Sequence, residues 1–229
     1  MSIIWVVCEG QSENRFVKEV LCPYVLEKTA YSIELKPITL TTSKNKKAGK
    51  VYKGGLVRYE KAINDIRESL AYGGVVTTMF DFYAIPVDFP GYDVAMKAGS
   101  SLDRVTRLEE SMIEDVIKRL GVREDCFIPY IQLHEFEALF YCELNALKDF
   151  YPDKSEDIDK LIKEVSGFEP EEIDQGSETA PSKRLLKHLN YRKGEMVVFP
   201  LQKIGIDRMR EKCPHFNEWV ERLIGKAYV

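Results

Sequence analysis

Three apolar, β-prone runs at residues 3–8, 75–80 and 126–133 alternate with segments of helical periodicity, and this alternation predicts an α/β fold with a mostly parallel sheet flanked by helices. The runs are continuous rather than alternating, as strands buried on both faces are. A chain of 229 residues that is 45% hydrophobic and 31% charged has the material for a large core, which excludes disordered, collagen-like and coiled-coil classes.

Residues 3–8, Ile-Ile-Trp-Val-Val-Cys, read as a central first strand ending at Glu9-Gly10. Gln11 and Ser12 lead into Phe16, Val17, Val20 and Leu21 at helical spacing, which Pro23 interrupts. Ile33, Leu35, Ile38 and Leu40 around Pro37 suit an edge or bulged strand. After a basic loop, Leu56, Tyr59, Ile63, Ile66 and Leu70 make a second helix, stopped by Gly73-Gly74, and residues 75–80 make another buried strand ending at Asp81. Beyond a loop with Pro86, Pro90 and Gly91, Ser100 or Ser101 caps a helix carrying Leu102, Val105, Leu108, Met112, Val116 and Leu120, with Gly121 past its end. Residues 126–133 give a third buried strand, running directly into a helix start at His134-Glu135-Phe136-Glu137-Ala138-Leu139-Phe140.

The texture then changes. Residues 143–178 hold twelve acids against four lysines and show two short helical patterns without a strand. An α/β core over 1–142 with a helical extension over 143–229 packed on it is expected. The last part has two helices anchored by Ile204, Met209, Phe216, Trp219 and Leu223, the second opened by Pro214.

The net charge of -4 argues against a generally basic nucleic-acid coat protein. Residues 35–59, however, contain seven positive charges and no acid, so that the remaining chain carries -11. Five cysteines without CxxC spacing do not make a closed disulfide framework, and the run at 3–7 is too short for a signal h-region or the ~20 residues of a membrane span. A cytoplasmic protein with no membrane association is expected.

Ligands of open α/β sheets bind outside the carboxyl ends of the strands. Here three strands deliver carboxylates to that edge: Glu9, Asp81 and the pair Glu135/Glu137. Carboxylates brought together repel unless a proton or a hard cation separates them, and Mg²⁺ takes one or two carboxylates with waters and a phosphate. A Mg²⁺ or Mn²⁺ site on Glu9, Asp81 and Glu137 is the economical expectation, with Gly10 opening a helix whose amides receive a phosphate. The plainer readings are that Glu13 complements the helix dipole, that Glu9 ends a strand in solvent, and that Glu135 and Glu137 are first-turn acids. His134, Glu137 and Tyr141 fall on one helical face, and the missing second histidine excludes a zincin motif. Lys44, Lys46, Lys47, Lys50, Lys53 and Arg58 around Tyr52, with Lys183-Arg184 at another helix start, are candidate phosphate contacts, although such a run is also what a solvated loop looks like. Neutralising about six duplex phosphates would give a log-log salt slope near -5.

Glu9 to Glu13 (Glu-Gly-Gln-Ser-Glu), Asp81-Phe82-Tyr83 and Gln132 to Phe140 (Gln-Leu-His-Glu-Phe-Glu-Ala-Leu-Phe) resemble the motifs of a prokaryotic Toprim-like family classed as a domain of unknown function. The resemblance continues through Pro181-Ser182-Lys183-Arg184 and Ile204-Gly205 to Cys213-Pro214-His215-Phe216 and Trp219, almost the entire chain. It implies a Toprim-like, Rossmann-like sheet in which Glu9 and Asp81 bind Mg²⁺ for phosphodiester chemistry. It also implies an ABC-type ATPase encoded nearby, the two forming a phage-defence pair. The Asp-x-Asp of Toprim proteins reads here as Asp81-Phe82-Tyr83, so Asp88, Asp93, Glu135 or Glu137 would have to replace the second aspartate, or Tyr83 would position a phosphate or water through its hydroxyl.

The leading expectation is a metal-dependent nuclease-like protein, with Glu9 as general base or metal ligand, Asp81 as principal ligand and Glu135 or Glu137 in support. The alternative is a non-catalytic sensor or adaptor that binds the ATPase through the acidic extension and the Trp219 helix. A phosphatase with an aspartyl nucleophile is disfavoured by the missing second aspartate.

Overall fold

Strand β1 (Ser2–Cys8) takes the middle of the sheet because both of its faces are apolar: Ile4, Val6 and Cys8 pack into one core, and Trp5 and Val7 into the other. A computed structural model describes residues 1–40, 56, 58–173, 176, 178–191 and 197–228. The basic-loop residues Lys44, Lys46, Lys47, Lys50, Tyr52 and Lys53 lie outside the described residues.

The connection after β1 is a helix in three parts, α1 (Gln11–Phe16), a π-turn over Val17–Leu21 and α2 (Cys22–Lys28). Pro23 was expected to interrupt this helix, and the chain instead passes it. Proline removes one helical donor and crowds the carbonyl four residues back, and the wider π-turn lies directly before it. The carbonyl in question, Glu19 O, accepts from Gln202 Nε2 at 3.3 Å. Strand β2 (Ile33–Thr39) then pairs in parallel with β1 at the sheet edge, where Pro37 is tolerated.

Helix α3 (Tyr59–Ala71) begins at a carboxylate cap from the following loop, Asp88 Oδ1 accepting the Tyr59 N–H at 3.2 Å. It ends before Gly73 and Gly74, both at positive φ. Gly74 is required twice over, since a Cβ there would also lie 2.4 Å from the Ile3 carbonyl oxygen. Strand β3 (Val75–Asp81) pairs in parallel with β1. The short α4 (Tyr92–Ala95) leads to α5 (Ser101–Leu120), whose capping box joins Ser100 and Asp103 and whose end is a left-handed Gly121.

The third apolar run forms two short strands, β4 (Phe127–Ile128) and β5 (Ile131–Gln132), both parallel to β3 and in one register. Pro129 has no amide to donate to a ladder. Thr78 bridges the gap: its Oγ1 accepts the Tyr130 N–H at 2.9 Å and donates to the Tyr130 carbonyl at 3.0 Å. The sheet order is therefore β2-β1-β3-β4, with β5 beside β3 and every ladder parallel.

Helices α3 and α5 cover one face through Ile63, Ile66, Leu108 and Met112. On the other face α1 is joined by the C-terminal helices: α6 (Ser155–Glu164), α7 (Pro181–Leu189), α8 (Val198–Ile204), α9 (Ile206–Lys212) and α10 (Pro214–Gly225). Trp219 of α10, a candidate partner contact by sequence, is turned inward. Its indole lies 4.2 Å from the Tyr130 ring at an interplanar angle of 6°, and its Nε1 donates to Thr77 Oγ1 at 2.8 Å. Among the described residues no helix is long and apolar enough to cross a membrane.

Because Trp219 both fills this layer and satisfies a hydroxyl on the sheet, Trp219→Ala is expected to lower the unfolding free energy by about 4 kcal/mol. Urea denaturation checks this; an unchanged midpoint would show that α10 is dispensable to the core.

Candidate functional site

The carboxyl ends of β1, β3 and β5 meet at one edge. At the end of β1 the chain leaves Glu9 part-exposed and turns through Gly10 into α1. Gly10 is extended, at φ -141° and ψ -171°, so it is not the backbone angle that calls for glycine. Nor does backbone crowding: a Cβ at Gly10 would sit 2.9 Å from Glu13 Oε2, the end of a flexible side chain, and would meet no backbone within 4 Å. Burial pushes the Cys8 thiol well up, and the nearby Glu13 charge adds to it.

Glu9 reaches across to β3, its Oε2 accepting the Asp81 N–H at 3.1 Å. Asp81, 6% exposed, reaches on to the next segment, its Oδ1 accepting the Phe136 N–H at 2.7 Å. Carboxylate side chains thus continue the lateral linkage beyond the last strand pairs, in charge-assisted bonds stronger than the neutral ladder. Tyr83 N–H donates to the His134 carbonyl at 3.1 Å, closing the same edge.

His134 adopts a left-handed φ of 64° and precedes 3₁₀ turns within Phe136–Asp149 that are broken by a kink at Glu143 (φ -158°, ψ 79°), where an α-helix was expected. The predicted polar face therefore does not form. His134 Nε2 donates to the Glu171 carbonyl at 3.0 Å, Glu137 Oε1 accepts from the Tyr191 hydroxyl at 3.2 Å, and the Tyr141 hydroxyl donates to the Pro181 carbonyl at 2.8 Å. Glu135 Oε2 accepts the Ser182 N–H at 2.9 Å, capping α7. Burial pushes the Tyr191 hydroxyl up, with the charge and hydrogen bond of Glu137 adding and Tyr151 and Glu13 contributing less.

Glu9 and Asp81 are therefore brought together, whereas Glu135 faces α7 and Glu137 is wholly buried against Tyr191. Among the described residues no three of His, Cys, Asp or Glu are grouped so as to hold a metal ion. Glu9 and Asp81 supply carboxylate oxygens, the donor type that hard cations take, and each has one oxygen engaged by a backbone N–H.

A family model described as "Domain of unknown function (DUF4276)" matches residues 8–224. The chain belongs to that family. The match takes in the residues at the edge, from Glu9 to Tyr191. No curated protein and no solved structure matches the chain.

Of the candidate phosphate contacts, Lys46 and Lys47 lie outside the described residues, Arg58 is exposed before α3, and Lys183 is exposed on α7. Arg184 is buried, its Nε donating to the Thr179 carbonyl at 2.7 Å and its guanidinium paired with Glu164.

Behind the edge lies a buried polar network that the sequence pattern did not show, because its members come from three distant segments. Glu109 of α5 accepts the Ile131 N–H at 2.7 Å and meets His215 Nε2 at 3.1 Å with the same oxygen. Glu171 caps α10 by accepting the His215 and Phe216 N–H groups, each at 3.0 Å. Burial pushes the Glu171 carboxyl up, opposed by these two bonds. For His215 burial acts downward, but the hydrogen bond and charge of Glu109, with Glu171 and Glu218, outweigh it and leave the imidazole above its ordinary value.

A base held above its unfolded pKa stabilises the fold fully below that unfolded value and loses the contribution as pH rises through the folded one. The stability of the parent over His215→Gln is therefore expected to fall as pH rises above about 6.5, and Glu109→Ala to cost about 3 kcal/mol at pH 6. Chemical denaturation across pH 5.5–8.5 measures both; parallel pH curves for parent and His215→Gln would contradict the charged pair.

Proposed function

We propose that this chain is a Toprim-like, Rossmann-like protein that cleaves phosphodiester bonds with Mg²⁺ or Mn²⁺. The observation that carries this reading is the juxtaposition of Glu9 and Asp81 at the carboxyl edge of a parallel sheet, where ligands of such sheets bind. Glu9 and Asp81 would hold the cation, which when bound polarises a phosphoryl oxygen and lowers the pKa of water. The chain's own residues set the geometry. Phe136 N–H fixes Asp81, and the residues on either side of Phe136 are themselves tied down, Glu135 to Ser182 and Glu137 to Tyr191. Glu135 and Glu137 are thereby positioning residues for Asp81. Glu9, the part-exposed member of the pair, serves either as the cation's second ligand or as the base that takes a proton from attacking water. Gly10 opens α1 directly after Glu9, and the phosphate contact assigned to it follows from the amides of that turn. The ABC-type ATPase partner and a role in phage defence complete the reading by resemblance.

Supercoiled plasmid, single-stranded DNA and RNA, each with Mg²⁺, Mn²⁺ or chelator, test it. Metal-dependent cleavage is expected from the parent, slowed at least about 100-fold in Glu9→Gln and Asp81→Asn. Variants that cut as fast as the parent would overturn the assignment. A parent that is inert with every metal but co-purifies with the ATPase would replace it with the adaptor reading.

A further inference from the structure

We propose that Cys142 and Cys213 form a peroxide-responsive thiol pair, Cys142 being oxidised first and Cys213 closing the disulfide. The pair is independent of the phosphodiester reading.

The two cysteines are 71 residues apart in sequence, yet their sulfurs lie 3.4 Å from each other, one thiol donating to the other. Cys142 is 3% exposed and Cys213 wholly buried. From this contact the sulfurs have to close by about 1.4 Å to reach bonding length. Both cysteines stand where the helical backbone is interrupted. Cys142 directly precedes the kink at Glu143, and Cys213 joins α9 to α10 at φ -125° and ψ 89°. Other thiols are engaged elsewhere, Cys8 donating to the Val6 carbonyl at 3.5 Å and Cys126 to Asp125 Oδ1 at 3.6 Å.

The surroundings divide the roles. The hydrogen bond with Cys142 pushes the Cys213 thiol well up, and burial and the charges of Cys142, Glu171 and Glu169 add to it. Cys213 therefore keeps its proton and is the donor to Cys142. Arg208 stands beside Cys142, its Nε donating to the Cys142 carbonyl at 3.2 Å while its side chain is 36% exposed. A neighbouring cation and a thiol donor both favour a thiolate, the form that attacks a peroxide.

In the first step the Cys142 sulfur bonds to one oxygen of hydrogen peroxide, the O–O bond breaks, and the other oxygen leaves as water, which leaves a sulfenic acid on Cys142. Cys213 then attacks that sulfur, the S–O bond breaks, and the hydroxyl leaves with the Cys213 proton as a second water. Two thiols and one peroxide thus give one disulfide and two waters. The bond closes a loop holding α6, α7, α8 and α9 and ties the segment that follows Phe136 to the start of α10. Crosslinks across long loops restrict the unfolded chain most.

The intact chain is treated with hydrogen peroxide, alkylated under denaturing conditions and digested without reductant, and mass spectrometry maps the cysteines. A Cys142–Cys213 crosslink is expected, reversed by dithiothreitol, and the urea midpoint of the oxidised chain is expected above that of the reduced one. Cys126→Ser, which leaves the pair in place, is expected to oxidise like the parent. Recovery of both cysteines as alkylated thiols, or a crosslink through Cys126 or between two chains in place of this one, overturns the pair. Dimedone added with the peroxide traps the sulfenic acid in the parent itself, so the order of attack is read without altering either cysteine. Label on Cys142 supports the assigned roles, and label on Cys213 instead overturns them.

Discussion

The fold depends on carboxylates satisfying backbone N–H groups that the regular ladders leave without an acceptor. A buried amide without a partner costs roughly 1–3 kcal/mol, and a short sheet with broken strands produces several. Here Glu9 accepts from Asp81, Asp81 from Phe136, Glu109 from Ile131, Glu135 from Ser182 and Glu171 from both His215 and Phe216. Each bond crosses from one segment to another, and each is strengthened by the charge of the acceptor. The acids that an opening inspection of the sequence would assign to solvent or to chemistry are thus also what joins the strand edge to the C-terminal helices.

This double use shapes the candidate site. Asp81 is fixed at the point where β3 ends by an amide in the next segment, so its position is set without a second aspartate beside it. Tyr83, two residues on, is joined to the same edge through its N–H and the His134 carbonyl. The buried Glu109–His215 contact lies one layer behind, with the Tyr130 ring stacked against His215 at 5.3 Å. One oxygen of Glu109 thus joins β5 to α10, accepting the Ile131 N–H and meeting His215 Nε2.

Much of the architecture was legible because it is local. The β1 and β3 runs, the Ser100 capping box of α5 and the Gly121 stop each depend on a few adjacent residues. Glu9 and Asp81 were legible as strand-end carboxylates for the same reason. The π-turn was not, because the carbonyl displaced by Pro23 is satisfied by Gln202, far along the chain. Nor was the division of the third run, in which Thr78 supplies the bonds lost around Pro129. The helical face expected for His134, Glu137 and Tyr141 failed because the left-handed His134 and the 3₁₀ segment after it change the angle between side chains. Membership of a family classed as a domain of unknown function, expected from the sequence, holds over residues 8–224.

The most direct measurement is Mn²⁺ binding to the intact chain, followed by electron paramagnetic resonance with Mg²⁺ as competitor. If Glu9 and Asp81 form a cation site, the parent binds one Mn²⁺ that Mg²⁺ displaces, and Glu9→Gln and Asp81→Asn each lose it while remaining folded. A parent that leaves the Mn²⁺ signal unchanged, or variants that bind the ion as the parent does, would show that the two carboxylates serve the backbone alone.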